Sequence, residues 1–191
     1  MRREALATYF DSTAKQAWID LTSDVKVSGI RATVRAGRQT MRDTLVNWLP
    51  TDLRRTRVLD AGCGTGALAL DVACRGADVT AVDVAGGLVE VAKERATGFI
   101  GHGKVRWRAG DMLDPSHGTF SHVVAMDSLI HYSPEDLVDA VEPPRRVVRH
   151  VGRVEHGVLF DKEDPRIRGE LHRLVGPQAS HEATVGGAKA S

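Results

Sequence analysis

From residue 57 to residue 126 the chain alternates short strand-like runs with stretches in which apolar residues recur every three or four positions. Val58 and Leu59 form the first run, and further runs lie at 77–83, 104–108 and 120–126. Such runs are typical of strands in a parallel sheet, and the periodic stretches between them are typical of helices that cover its faces. The pattern therefore predicts an α/β domain built on a parallel sheet.

Residues 1–52 precede the first predicted strand and have a helical pattern. Apolar residues recur at helical spacing before Pro50 and predict one amphipathic helix: Ile30, Val34, Met41, Leu45 and Trp48. The opposite face is basic and carries Arg31, Arg35, Arg38 and Arg42. A basic stripe is ordinarily a solvated helix face, but guanidinium groups also suit carboxylates. Both interpretations are open from the sequence, and the solvated face is the favoured one.

An aromatic pair, Tyr9 and Phe10, lies near the start of the chain beside the turn-prone residues Asp11, Ser12 and Thr13. Aromatic side chains at such a place belong either to the core or to a lid over an active site. The sequence favours neither interpretation over the other.

Ser133, Pro134 and the two acids that follow predict the start of a helix, with a serine cap and proline at its first position. The pattern loses its regularity after Val141, where prolines interrupt this predicted helix. A fifth strand is predicted within residues 153–160, and too few residues follow it for two more strands and their connecting helix. We therefore predict a helical segment at 1–52, a core with an incomplete sheet at 53–160, and an irregular tail at 161–191. A shifted reading frame after about residue 142 is one hypothesis for the change, and resequencing of the gene tests it.

Composition limits the type of protein. At 191 residues there is room for one domain with a substantial core, and a net charge of +1 gives no overall field for nucleic acid or an anionic membrane. Cys63 and Cys74 lack the spacing of a disulfide framework or a zinc site, which predicts a reduced cytoplasm. No apolar run approaches the roughly 20 residues that cross a bilayer. We expect a cytoplasmic protein whose membrane contact is at most peripheral.

The first predicted strand runs into a loop that contains Gly62, Gly64 and Gly66. Glycines permit turns and close approaches that a Cβ would prevent, so a flat ligand can lie on the main chain. The spacing satisfies the dinucleotide fingerprint, in which a helix N-terminus holds a pyrophosphate. Asp60 argues against a pyrophosphate, since a carboxylate at the loop repels it but attracts an ammonium or sulfonium group. The loop resembles motif I of the class I S-adenosylmethionine-dependent methyltransferases, in the run D-A-G-C-G-T-G.

Further acids follow the predicted strands. Asp83 ends the second strand at about the spacing from the loop at which a carboxylate binds ribose hydroxyls, and the alternative is a helix cap. Asp111 and Met112 end the third strand in a run that resembles the methyltransferase segment whose aspartate accepts a hydrogen bond from adenine and whose next residue packs on the ring. An ordinary turn is the alternative there. Asp127 follows the fourth strand and is predicted as a further cofactor contact, where a substrate meets the cofactor's methyl group.

Four segments together are more specific than the glycine loop alone. They are Y-F-D-S-T with Trp18, I-R-A-T-V-R-A-G-R from residue 30, V-L-D-A-G-C-G-T-G-A-L-A from residue 58, and M-D-S-L-I-H-Y from residue 126. Over residues 5–141 the chain resembles the magnesium-protoporphyrin O-methyltransferases. The resemblance implies a Rossmann-like class I methyltransferase sheet and a catalytic role for His131. Thr22 stands where relatives often carry tyrosine, so no role is transferred to it.

The reaction that this resemblance implies is methyl transfer from S-adenosylmethionine to one propionate of magnesium-protoporphyrin IX, in bacteriochlorophyll and chlorophyll biosynthesis. A propionate, with a pKa of roughly 4 to 5 like glutamate, is already ionised at neutral pH. His131 is expected to orient that carboxylate or to accept its proton, the alternative being a histidine satisfied by backbone groups. Tyr9, Arg35 and Arg38 are the expected substrate contacts. The magnesium belongs to the substrate, and a magnesium chelatase subunit is the expected partner.

Other functions stay open at this stage. One is methyl transfer to a quinone or a small acid, since enzymes for such substrates share the glycine loop and the acidic residues. Another is binding of cofactor or porphyrin without turnover, which an incomplete sheet would favour. A nicotinamide dehydrogenase ranks last because of Asp60.

Overall fold

The computed structural model describes residues 3–23, 29–129, 132, 152–154 and 157–160. A π-helical turn at Tyr9–Thr13 joins the first two helices, and a short 3-10 turn lies at Pro115–His117. The remaining elements, in chain order, are α1 (Arg3–Thr8), α2 (Lys15–Leu21), α3 (Gly29–Trp48), β1 (Arg57–Ala61), α4 (Ala67–Cys74), β2 (Asp78–Asp83), α5 (Gly86–Arg95), β3 (Lys104–Ala109), β4 (His122–Met126), β5 (Gly152–Val154) and β6 (Gly157–Phe160). His131, the helix predicted to begin at Ser133 and the tail at 161–191 lie outside the described residues.

The sheet has the strand order β3-β2-β1-β4-β6-β5. β1 is paired in parallel with β2 on one side and with β4 on the other, and β2 is paired in parallel with β3. The chain therefore moves outward from β1 to β3 and returns across β1 to β4. This reversal puts a topological switch point between β1 and β4, the usual ligand position in open α/β sheets. The predicted parallel α/β sheet is confirmed.

The far edge of the sheet differs from the prediction. β6 is antiparallel to β4, and β5 is antiparallel to β6. The prediction of a single fifth strand within 153–160 is therefore wrong, because the segment forms two short strands. Only two residues separate these strands, which is the length of a tight hairpin connection. A connection this short interrupts the hydrophobic pattern too little to be recognised from the sequence.

Only the second half of α3 enters the core. Leu45 is fully buried and packs in the cluster that contains Val58 and Val72, beneath the sheet. Ile30, Val34 and Trp48 are 84%, 46% and 36% exposed, so the predicted core stripe is wrong for the first half of the helix and for its last residue. In the sequence the apolar spacing extends into the first half of α3, which the sheet does not cover. Of the helices that are described, none combines the length and the apolar character needed to cross a bilayer.

Candidate active site

The glycine loop connects β1 to α4 at the switch point. The backbone N–H groups of Gly62 and Cys63 both donate to Val82 O, at 2.8 and 3.0 Å, which ties the loop to the end of β2. Gly62 and Gly66 both have φ of +85°, in the left-handed region that favours glycine. A Cβ at Gly66 would lie 2.5 Å from Trp107 Cη2. Both the turn and the packing therefore require these glycines.

Asp83 fixes the shape of the loop from the end of β2. Its Oδ2 accepts a hydrogen bond from the Gly64 N–H at 2.8 Å, and its Oδ1 accepts one from the Ala85 N–H at 2.9 Å. Ala85 is the N-cap residue of α5, which has no side-chain cap hydrogen bond, so the second bond closes the turn before the helix and is not the helix cap considered above. Asp83 also lines the central cavity. Its predicted contact with a ribose stays a prediction.

Asp60 is the buried acid of the site, only 2% exposed. Its Oδ2 has no hydrogen-bond partner among the described residues. Burial and the nearby negative charge of Asp83 raise the pKa of Asp60 to about 7, and a backbone hydrogen bond from Ala69 acts in the opposite direction. A buried polar atom without a partner is rare in folded proteins. A cation placed beside this oxygen would favour the ionised carboxylate and satisfy it.

Asp111 and Met112 follow β3 at the same edge of the sheet. Asp111 Oδ1 accepts hydrogen bonds from the Leu113 N–H at 2.9 Å and from the Tyr132 hydroxyl at 3.0 Å. Met112 is buried and lines the cavity together with Tyr132, whereas the Asp111 side chain is not part of the lining in the described residues. The contact of both residues with adenine stays a prediction.

The basic face of α3 forms the opposite wall of the cavity. Arg35, Arg38 and Arg42 line it and are partly buried, whereas Arg31 is exposed. The interpretation of this stripe as a solvated face is therefore wrong for three of its four arginines. The sequence alone did not reveal this, because α3 crosses the carboxyl edge of the sheet and covers the site with its polar side. Arg38 pairs with Asp127, the residue after β4.

The segment that contains α2 forms a further wall of the cavity. Phe10, Trp18 and Thr22 line the cavity, and a Cβ at Gly64 would lie 3.1 Å from Trp18 Nε1. The Thr65 hydroxyl donates to Thr22 Oγ1 at 2.9 Å, which joins the segment to the glycine loop. Tyr9 is half exposed and does not belong to the described lining. Its role as a substrate contact stays a prediction.

Two arginines hold the C-terminal end of α2 over the site. Arg35 donates to the carbonyls of Asp20 and Leu21, and Arg95 donates to the carbonyls of Ile19 and Thr22 at 3.2 and 3.1 Å. The last carbonyls of a helix have no partner within the helix, so cations bind them favourably. At the other end of the segment, Asp11 Oδ1 accepts a hydrogen bond of 2.7 Å from Gly87 N–H in α5.

The resulting cavity has a volume of about 460 Å³ and two walls of opposite charge. The wall formed by the strand ends carries Asp60, Asp83 and Asp127, and the wall formed by α3 carries the three arginines. Within the residues that the structure describes, no group of histidine, cysteine and acidic side chains is arranged to hold a metal ion. The size suits a small ligand. The charges suit a cationic ligand on one side and an anionic ligand on the other.

Comparisons with known proteins decide the family. A methyltransferase domain model matches residues 58–152. A magnesium-protoporphyrin O-methyltransferase from Rhodobacter capsulatus is 46% identical over 86% of this chain and 70% of its own length. The chain belongs to the magnesium-protoporphyrin O-methyltransferase family. A member of that family from Synechocystis is 32% identical over 67% of this chain. The chain spans 56% of this second relative's length.

A solved structure agrees with the family assignment. The crystal structure of magnesium protoporphyrin IX methyltransferase from Synechocystis with bound S-adenosylhomocysteine is 29% identical, with a TM-score of 0.66. The match covers 73% of this chain and 64% of that one. The predicted class I methyltransferase fold and the predicted family are confirmed, and with them the class of enzyme, an S-adenosylmethionine-dependent methyltransferase.

The residues of this family member fit the cofactor of its family. The unpartnered Asp60 oxygen is a buried acceptor that a cationic group would ionise and satisfy, and the glycine loop presents bare main chain at Gly62 and Gly64, which both line the cavity. Sequence reasoning missed Trp18, Arg95 and Asp11 as parts of the site. Asp11 lies in the segment Y-F-D-S-T, which together with Trp18 contributes to the family resemblance, and this was the available sign for both residues. The contacts of Arg95 join distant parts of the chain, so no local pattern marks them.

Proposed function

We propose that this family member transfers a methyl group from S-adenosylmethionine to one propionate carboxylate of magnesium-protoporphyrin IX, giving the monomethyl ester, in bacteriochlorophyll or chlorophyll biosynthesis. The observation that carries the proposal is the opposite charge of the two cavity walls. A cationic cofactor and an anionic acceptor must meet in one space, and the cavity offers acids to the first and arginines to the second. Family membership supplies the identity of the two reactants.

The cofactor side is proposed to consist of the glycine loop with Asp60 and Asp83, followed by Asp111 and Met112. Asp127, predicted from the sequence as a further cofactor contact, pairs with Arg38 of the arginine wall and is therefore proposed for the acceptor side instead. S-adenosylmethionine supplies an electrophilic methyl group on a positively charged sulfur. Asp60 has the position and burial to balance positive charge, and Asp83 holds Gly64 in place while facing the same cavity. Asp83 is proposed for the ribose, and Met112, which is buried at the cavity, for the adenine ring.

The acceptor side of the site must position the propionate, and it does not need a strong acid or base. The propionate is ionised at neutral pH, so the protein must hold its oxygen in line with the bond that breaks and exclude the water that solvates it. The arginine wall and the aromatic pair of Phe10 and Trp18, whose ring centroids are 5.8 Å apart, support this role. His131 is proposed to orient the carboxylate, or to accept its proton if it arrives protonated. Arg35, which holds the end of α2, and Tyr9 are weaker candidates for direct contact.

Incubation of the purified chain with S-adenosylmethionine and magnesium-protoporphyrin IX tests the proposal. We expect a product heavier by one CH₂ unit, with an equal amount of S-adenosylhomocysteine. A benzenediol acceptor of the kind that quinone-pathway enzymes methylate serves as the control substrate and is expected to stay unmodified. Methylation of that control in preference to the porphyrin would contradict the proposed substrate. Binding of both ligands without product would contradict the proposed reaction.

The raised pKa of Asp60 predicts that cofactor binding depends on pH. The free folded protein keeps a proton on Asp60 up to about pH 7, whereas the unfolded chain releases it near the usual carboxyl pKa of about 4. Stability of the free protein therefore falls as pH rises from about 4 to 7. A bound cation favours the ionised form, so affinity for S-adenosylmethionine is expected to rise by up to about tenfold per pH unit below 7 and to level off above it.

Asp60→Asn provides the matched control for this pH dependence. The amide has nearly the same shape and no charge, so its affinity for S-adenosylmethionine is expected to be weaker at pH 8 and nearly flat between pH 6 and pH 8. Calorimetric titrations of both proteins at several pH values measure this. An equal slope in both proteins would show that Asp60 is not the titrating group.

We also propose that a magnesium chelatase subunit delivers the substrate and that the protein works in the cytoplasm, with peripheral membrane contact. The support is chemical, because insertion of magnesium must precede methylation and a large planar porphyrin is poorly solvated by water. Cys63 and Cys74 are free thiols, as a reducing compartment requires. Co-elution of the chain with the chelatase subunits in the presence of magnesium-protoporphyrin is expected, and separate elution would contradict delivery by contact.

A further inference from the structure

An ion pair lies inside the cavity between α3 and the end of β4. Arg38 Nη1 donates to Asp127 Oδ2, and the two side chains are 17% and 21% exposed. Both residues line the cavity. The Arg38 guanidinium also lies over Trp18, with its carbon 4.4 Å from the ring centroid. Arg38 is therefore held in place by a ring on one side and a carboxylate on another, and it faces the space that a ligand occupies.

The two neighbouring arginines of the cavity wall, Arg35 and Arg42, bind other partners. Arg35 donates to the carbonyls at the end of α2. Arg42 Nε lies 2.9 Å from a carboxylate oxygen of Asp71, which is outside the cavity lining. Arg38 thus has an ion-pair partner, Asp127, that also lines the cavity. An anion that enters the cavity can compete with this partner.

The backbone of Asp127 has a conformation that is strained for most residues. Its φ is +59°, in the left-handed region that few residues other than glycine, asparagine and aspartate adopt. Burial lowers the pKa of Arg38, and the charge of Asp127 opposes that effect. A buried arginine needs a carboxylate partner, but an ion pair of this kind adds little net stability. Replacement of one carboxylate by another on Arg38 is therefore close to neutral in free energy.

We propose that Asp127 is an internal stand-in for a substrate carboxylate, which takes its place on Arg38 when the acceptor binds. The inference rests on the proposed function, in which the acceptor carries two propionates. One propionate reacts, and the other binds Arg38. The bidentate shape of a guanidinium suits this contact. Asp127 then acts as a competitor of the substrate and keeps Arg38 aligned on Trp18 when no porphyrin is present.

Substitutions on both sides of the pair test this role. Asp127→Asn keeps the left-handed backbone accessible and removes the competing charge. It is expected to tighten the binding of magnesium-protoporphyrin by about tenfold, with no change in affinity for S-adenosylhomocysteine. Arg38→Gln is expected to weaken porphyrin binding by about 10- to 100-fold. Arg31→Gln, an exposed position on the same helix, removes the same charge and is expected to have no effect.

A comparison of two ligands tests the same role on the unmodified protein, so this part of the test does not depend on whether a variant folds. The dimethyl ester of magnesium-protoporphyrin lacks both carboxylates, so it is expected to bind the unmodified protein more weakly than the diacid. The two ligands are expected to bind Arg38→Gln more nearly equally. Fluorescence titrations measure both affinities.

The outcomes separate this inference from the proposed function. If the diacid binds but Asp127→Asn binds it no more tightly than the unmodified protein, the stand-in role is wrong and the proposed function stands. If Asp127→Asn loses affinity for S-adenosylhomocysteine, Asp127 is a cofactor contact and the stand-in role is again overturned. If the diacid does not bind the unmodified protein while S-adenosylhomocysteine does, the proposed substrate itself is wrong.

Discussion

Gly62→Ala is expected to abolish measurable binding of S-adenosylmethionine and to destabilise the fold by about 2–5 kcal/mol. The residue has φ of +85°, which a residue with a Cβ adopts only with strain. The added Cβ would lie 2.8 Å from Ser128 Oγ and closer still to its Cβ. Ser128 cannot easily move away, because its hydroxyl donates to Ala61 O. The loop must therefore shift, and the surface on which the cofactor is proposed to lie shifts with it.

Gly37→Ala is the matched control for this substitution. Gly37 is an exposed residue within α3, and no atom lies within 4 Å of the position that its Cβ would occupy. An alanine in a helix interior is expected to stabilise the protein by up to about 1 kcal/mol. Denaturant unfolding gives both stabilities, and calorimetric titration gives both affinities. Retention of full cofactor affinity in Gly62→Ala would show that the loop is not the binding surface.

His131→Ala is expected to lower kcat by about 100-fold or more and to leave the affinity for S-adenosylmethionine unchanged. His131 precedes Tyr132, whose hydroxyl donates to Asp111 and whose side chain lines the cavity. The family resemblance implies the catalytic role that we propose for this histidine, and because the acceptor is already ionised, that role is proposed to be mainly orientation. Loss of an orienting hydrogen bond reduces the fraction of bound acceptor that is aligned for transfer. Single-turnover rates measured at saturating ligand concentrations isolate this effect.

Two further variants sharpen the test of His131. His131→Gln keeps a hydrogen-bond donor without titrating near neutral pH, so it is expected to retain part of the activity if orientation is the role. If proton transfer is the role, it is expected to be as slow as the alanine variant. His102→Ala, at an exposed position, controls for loss of a histidine as such. Equal turnover of His131→Ala and the unmodified protein would remove His131 from the reaction.

The part of the fold that local pattern determines was predictable from the sequence. The first, second and fourth strands and the glycine loop each follow from a run of a few residues, because a buried strand must be apolar and a tight turn must be glycine-rich. The third strand, which is half exposed, follows from its alternation of polar and apolar residues. Gly66, for example, marks both the turn and the close approach of Trp107. The positions of Asp60 and Asp83 at the carboxyl edge follow from these strands.

Contacts between distant segments were not predictable in the same way. The pairing of Arg38 with Asp127 depends on where α3 crosses the sheet, which no local pattern states. The same crossing explains why the basic face of α3 lines a cavity and why Ile30 is exposed. The hairpin β5–β6 was missed since its two strands are short and closely joined. Each of these errors concerns the way in which elements meet, and local propensity carries no information about that.

The central claim is that the loop from Asp60 to Gly66 is the binding site of a cofactor with a positively charged sulfur. Calorimetric titration of the purified, folded chain at pH 8 with S-adenosylmethionine, and separately with NAD, tests this claim most directly. We expect saturable binding of one S-adenosylmethionine per chain and no binding of NAD. Absence of heat with S-adenosylmethionine at millimolar concentrations, from a chain whose circular dichroism shows a folded α/β protein, would contradict the account.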